Sequence, residues 1–180
     1  SKLDAKLVEV KYSEINVEQL INNLYNTFQP LALTRNLEME RHITPANANL
    51  TIRSDYMLLY QVFSNTINNA IKYTRNGKIT FGTRLGDKVT FFVKDTGTGI
   101  PLDQQQYIFE RFSQLDPSVP LNKGGVGLGL SICKSIMELI GGTIYVESDG
   151  VNGTTFYFEL PLDVIVFQNI KWWDRNITGR

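Results

Sequence analysis

QVFSNTINNAIKYT, residues 61–74, carries two periodicities at once. Wound as a helix, it sets Asn65, Asn69 and Lys72 at i, i+4 and i+7, one stripe along one face. Leu59, Val62, Phe63, Ile67 and Ala70 fall on another face, roughly 140° away at about 100° per residue. Such a helix buries one side and offers amides and an ammonium on the other. An amide carbonyl is a hard oxygen ligand that suits Mg²⁺, and a lysine is a point charge that suits phosphate. A solvated polar face explains the same stripe by itself, so the motifs further along decide between the two.

Three of them follow in order: DTGTGIP at 95–101, IFERF at 108–112 and GGVGLGLSI at 124–132. Asp95 ends a strand-like run, and Gly97 and Gly99 behind it let the backbone approach a flat ligand and adopt positive φ. A carboxylate there accepts a hydrogen bond from the exocyclic amine of adenine. Guanine presents a carbonyl at that place, which would set two acceptors face to face, so ATP is expected over GTP. An ordinary Asp-Gly loop with its acid in solvent is the alternative for this motif alone. Gly124, Gly125, Gly127 and Gly129 precede a helix, where bare amides and the helix dipole favour an anion. Neither GxGxxG nor GxxxxGK[ST] occurs, and the single Gly-Lys pair, Gly77-Lys78, belongs to a turn. A flexible linker is the plainer account, but Leu128 and Leu130 among the glycines favour a packed turn. Residues 113–123 hold two prolines and little periodicity, long enough for a mobile lid over a nucleotide that Arg111 or Lys123 could reach.

Around these motifs the chain alternates between helical and strand-like runs. Residues 7–15 alternate like a strand, Asn16 caps a helix with Leu20, Ile21, Leu24, Phe28 and Leu31 on one face, and Pro30 must disturb its last turn. Residues 37–43 and 50–53 read as short strands, and Asp55 caps the asparagine helix. Asn76-Gly77 is a hairpin signal before a strand at 78–84, and Gly86-Asp87 turns the chain into a strand at 88–94. A short helix is expected at 103–109, a longer one at 128–140 stopped by Gly141-Gly142, and strands at 143–148 and 154–160. The pattern predicts an α+β fold, a two-layer sandwich of a mixed, mostly antiparallel sheet on about three helices.

The 180 residues suit one domain with one core. Eighteen basic and eighteen acidic residues cancel, so bulk charge points to neither a nucleic-acid nor a membrane partner. The single cysteine, Cys133, excludes an internal disulfide and fits a reducing compartment. No apolar run reaches the roughly 18 residues of a membrane span, and there is no signal-peptide pattern.

The four runs resemble, in order, the N, first-glycine, F and second-glycine boxes of sensor histidine kinases, and Gly153-Thr154-Thr155-Phe156 resembles their third glycine box. The match covers residues 55–162. It implies the Bergerat ATP-binding fold shared with gyrase, the heat-shock chaperone ATPases and the mismatch-repair ATPases. It also implies a cytoplasmic domain, of a parent that can be anchored in the inner membrane, that moves the γ-phosphoryl group of ATP to a histidine and thence to a response regulator. Asn69 is the implied Mg²⁺ ligand and Asp95 the adenine anchor. Asn65, Lys72 and Arg111 are the implied catalytic group around metal and phosphates. Tyr73, Gly97, Gly99, Ile100, Lys123, Gly125, Val126, Gly127, Leu128, Gly129 and Thr155 complete the nucleotide site.

The hydrolysing relatives place a glutamate where this chain has Asn65, a poor base, which favours an external acceptor over water. The lone histidine, His42, lies in RHITP on an expected strand and lacks the acidic neighbour and helix of a phosphoacceptor. The chain is therefore expected to act on a histidine in a dimerisation domain it does not contain, and to be monomeric alone within a homodimeric parent. Residues 1–5 read as the end of that upstream dimerisation helix, 6–162 as the catalytic domain and 163–180 as a tail or linker. Thr66 replaces the usual apolar residue, and the spacing from Gly150 to Gly153 is one residue wider than the commonest form. The rival readings are an anti-sigma-type serine kinase of the same fold, which usually lacks the IFERF element, and a non-catalytic nucleotide- or partner-binding module.

Overall fold

The structure is a computed structural model that describes residues 8–45, 47–110 and 129–167. Its elements run β1 (Ser13–Asn16), α1 (Val17–Thr34), β2 (Leu37–His42), β3 (Thr51–Ser54), α2 (Tyr56–Tyr73), β4 (Gly77–Leu85), β5 (Lys88–Asp95), α3 (Gly129–Leu139), β6 (Thr143–Glu147), β7 (Thr154–Pro161), a 3₁₀ turn (Leu162–Val164) and β8 (Ile165–Phe167). Five strands form the main sheet in the order β2-β4-β5-β7-β6. Its pairings are antiparallel except for β2 with β4, so the sheet is mixed, as expected.

The helices form the second layer, and Phe63 shows how the layers join. Its ring stands edge-on against Phe81 of β4, Phe91 of β5 and Phe158 of β7, with centroids 6.2, 5.6 and 4.7 Å away. Edge-to-face packing at this spacing adds to the burial of four large rings. The apolar face read from the sequence is the buried face of α2. Thr66 is fully buried within it, and its hydroxyl donates back to the carbonyls of Val62 and Phe63, so the polar replacement is satisfied inside its own helix.

Several expectations change. The segment at 8–12 is not strand, because β1 begins only at Ser13. Asn16 caps α1 by accepting from the Gln19 amide, but Pro30 does not end the helix, which runs on to Thr34. Pro30 and Asn26 lie on the exposed side, where the carbonyl that loses its donor faces water. Asn76-Gly77 makes no hairpin. It turns α2 into β4, whose partner there is parallel β2, and Gly77 supplies φ of +135° with no room for a Cβ against Thr96. The run 103–109 is a chain of turns, with Gln104, Tyr107 and Glu110 amides each bonded three residues back. A second, smaller sheet was also not foreseen: β1, β3 and β8 pair antiparallel, so residues 165–167 of the expected tail or linker form a strand of this sheet.

Candidate functional site

The site is assembled where the end of α2, the end of β5 and the start of α3 meet. Asp55 sets the position of α2, accepting the Leu58 amide as N-cap at 3.1 Å and the Lys11 amide at 2.8 Å through its other oxygen. Asn65, Asn69 and Lys72 are half-buried on the face opposite the core. The Asn65 amide donates to the Gly129 carbonyl at the start of α3, 3.3 Å away. Just over two turns further along, where the helix ends, the Tyr73 carbonyl and the hydroxyl of the C-cap Thr74 lie against Gly97. A Cβ on Gly97 would come within 2.5 Å of that carbonyl, 2.9 Å of the hydroxyl and 3.0 Å of Asp95 Oδ1. Asn69 and Lys72 thus occupy the helix turns between the α3 contact and the Asp95 loop. The exposed Tyr73 ring turns outward, with the Lys72 ammonium 5.0 Å from its centroid.

Asp95 is 6 % exposed at the last position of β5. Its Oδ1 accepts the Gly97 amide at 2.9 Å. Burial pushes its carboxyl above the ordinary 3.8, while the backbone bonds from Gly97 and Thr154 pull the other way. A buried carboxylate with backbone donors on one side keeps a lone pair for a ligand, and an adenine amine fits that need. Gly99 has φ of +75° and its missing Cβ would lie 2.7 Å from the Val151 amide, so it serves the contact with the β6–β7 turn. Ile100 is buried with Ile108 and Phe156, and Phe109, Leu130 and Val146 pack around them. The first residues of IFERF are therefore anchors, Phe109 standing edge-on to Phe156 at 6.3 Å.

The neighbouring threonines of β7 face opposite sides of the sheet. Thr155 pairs with Lys94 and Glu147, on the sheet face that alternates away from Asp95. Thr154, 6 % exposed, is the residue opposite Asp95 in the ladder and bonds it through its backbone. The sequence reading did not single out Thr154, because only the register of β7 on β5 tells the two apart. It also missed Thr74, whose hydroxyl is buried without a partner among the described residues. Gly129 opens α3, and no described atom lies within 4 Å of where its Cβ would be. Arg111, Lys123, Gly125, Val126, Gly127 and Leu128 lie outside the described residues, as does the lid at 113–123.

No group of three or more His, Cys, Asp or Glu side chains suited to a metal occurs among the described residues. The donor on offer to a cation is the half-buried Asn69 amide, which suits Mg²⁺ held mainly by phosphate oxygens and water. His42 is exposed on strand β2, against the Phe92 ring at 5.8 Å. No described helix is long and apolar enough to cross a membrane.

Comparison with known proteins bears on this geometry. The family model for the histidine kinase-, DNA gyrase B-, and HSP90-like ATPase matches residues 54–164. The sensor histidine kinase RcsC of Escherichia coli strain K12 is 32 % identical over 163 residues, 90 % of this chain and 17 % of that protein. The circadian input-output histidine kinase CikA of Synechococcus elongatus is 32 % identical over 168 residues, 92 % of this chain and 22 % of its own. The chain thus spans about a fifth of the curated relatives it matches. Among solved structures, full-length ShkA in complex with AMPPNP superposes with a TM-score of 0.79 at 29 % identity, covering 89 % of this chain and 33 % of that one. The catalytic domain of histidine kinase ThkA gives 0.69 at 31 % identity, covering 84 % and 95 %.

Proposed function

The chain belongs to the family of histidine kinase-, DNA gyrase B- and HSP90-like ATPases, and from that premise we propose that it is the ATP-binding, phosphoryl-transferring domain of a sensor histidine kinase. The observation that carries the reading is the convergence on one spot of the polar stripe of α2, the buried Asp95 and the start of α3. Asp95 and Thr154 hold the adenine. Asn65, Asn69 and Lys72 face the phosphates, with Asn69 the ligand for Mg²⁺, which when bound neutralises phosphate charge. Gly129, at the start of α3, faces the phosphates, and the resemblance assigns Arg111, Lys123, Gly125, Val126, Gly127 and Leu128 to the same nucleotide.

The acceptor is a histidine on a dimerisation domain, from which a response regulator receiver takes the phosphoryl group. Exposed His42, on a strand and against an aromatic ring, is not that acceptor. Asn65 donates through Nδ2 to a carbonyl, and its amide oxygen is too weak a base to activate water, which favours transfer over hydrolysis. The catalytic domain spans residues 6–162 and 163–180 are a tail or linker, of which residues 165–167 pair with β3. The domain works in the cytoplasm, as a monomer in isolation and as part of a homodimeric parent.

The test is calorimetric titration of ATP and GTP with and without Mg²⁺, followed by transfer from ATP to a dimerisation domain supplied in trans. Saturable, ATP-selective binding and a phosphohistidine on the added domain are expected. Absence of binding by either nucleotide overturns the proposal and leaves a module that recognises only a partner.

A further inference from the structure

The loop from Asp95 to Ile100 is the wall of the proposed nucleotide site, yet much of what holds it comes from the β6–β7 turn. Ser148 is the first residue of that turn. Its hydroxyl donates to the Gly153 carbonyl at 2.7 Å and accepts the amides of Ile100 at 2.9 Å and Gly150 at 3.2 Å. A serine hydroxyl has one proton and two lone pairs, so the whole capacity of the group is spent on three backbone atoms. Two of them belong to its own turn and the third to the Asp95 loop.

The grip reaches both ends of that loop. At the far end, Ile100 is fixed by its amide. At the near end, Gly153 has φ of +95° and lies so close to the Asp95 carbonyl and Thr96 that a Cβ would collide with both. The next residue, Thr154, bonds the Asp95 carboxylate. Gln105 repeats the link from the other side, its side-chain nitrogen donating to the carbonyls of Ile100 and Ser148, each at 2.9 Å. Both side chains are half-buried, and in this geometry neither has a donor directed at a ligand.

We infer that Ser148 is a positioning residue for nucleotide selection, with Gln105 as its second clamp: together they hold Asp95 at the depth from which it reads the adenine edge. The inference rests on the reading of Asp95 as the adenine anchor. A hydroxyl lost here leaves the Ile100 amide without its partner and frees the wall to move away from the base.

Calorimetry of Mg²⁺ with ATP, and with GTP, on the full 180-residue chain tests it across five variants. Ser148→Ala and Gln105→Ala are each expected to weaken ATP by about tenfold and to reduce the preference over GTP, and Ser148→Thr to restore both. Asn47→Ala is the stability control. Asn47 is buried far from the loop, accepting the Thr44 amide and donating to the Thr83 carbonyl, so its loss lowers the melting temperature but leaves ATP affinity unchanged. Parental affinity in Ser148→Ala, or equal weakening in Asn47→Ala, overturns the inference. Should Ser148→Ala fail to fold, Gln105→Ala decides alone by the same criterion. Asp95→Asn separates the two levels: unchanged ATP affinity in that variant removes the anchor itself, whereas weakened binding there beside an intact Ser148→Ala removes only the clamp.

Discussion

Asp95 is pulled in opposite directions by burial and by function. Desolvation raises its carboxyl above 3.8, so the folded state holds the proton more tightly than the unfolded chain does. The stability this lends is complete below 3.8 and is lost as pH rises through the raised value. Adenine recognition needs the opposite, ionised form, so ATP affinity should climb over the same interval in which stability falls. Asp95→Asn is expected to flatten both curves and to weaken ATP by roughly 10- to 150-fold, the loss of a charge-assisted bond of about 1.5–3 kcal/mol. Calorimetry and thermal melts across the acidic range check this, and a change below about threefold would remove Asp95 from the adenine edge. Asn69→Ala is expected to abolish Mg²⁺-dependent transfer to an added dimerisation domain while weak nucleotide binding persists. Unchanged transfer counts against Asn69 as the metal ligand. At this scale the sequence was informative for Asp95 and for the α2 stripe, where chemistry and helical period coincide. It named Thr155 and not Thr154, since which neighbour lies opposite Asp95 depends on a strand pairing made far along the chain.

α2 is both the middle of the core and the polar wall of the site, and the two duties fall on opposite faces of one helix. Phe63→Ala should therefore cost about 3–5 kcal/mol by removing the ring that three strands share, read as a lower urea midpoint. A loss below about 1 kcal/mol would mean that the sheet closes over the gap by itself. The helix was legible because its 18 residues hold the 3.6 period throughout. Shorter elements were not. Asn76-Gly77 asks for positive φ, a demand that a helix-to-strand turn makes as strongly as a hairpin does. Residues 103–109 have too few apolar side chains to hold an α-helix against the sheet, and settle as turns pinned by Ile108. Strand existence was readable, but membership of the small β1-β3-β8 sheet was not, because partners are chosen by tertiary packing.

For the molecule as a whole, the buried thiol is a convenient gauge. Cys133 is fully enclosed, its sulfur 3.8 Å from the Val62 carbonyl, and burial pushes its pKa up to about 12 against a smaller opposing effect from the Asn65 side chain. The fold should lose stability as pH rises from 9.0 towards that value, and at pH 8 a thiol reagent should react only through opening of the chain. Saturating ATP is expected to slow that reaction by the factor 1 + [ATP]/Kd, if the nucleotide binds the folded form alone. Equal labelling rates with and without ATP would show that opening at Cys133 leaves the site intact. The contacts that shape the site argue otherwise. Asn65 meets Gly129 across 64 positions, Ile100 meets Ser148 across 48, and Gln105 meets Ser148 across 43. Such contacts form only after long loops close, so they come late in folding and go early in unfolding. A nucleotide that needs them all is thus a proofreader of the finished topology: a nascent chain that has not yet added Thr154 should be blind to ATP, however helical its asparagine stripe has become.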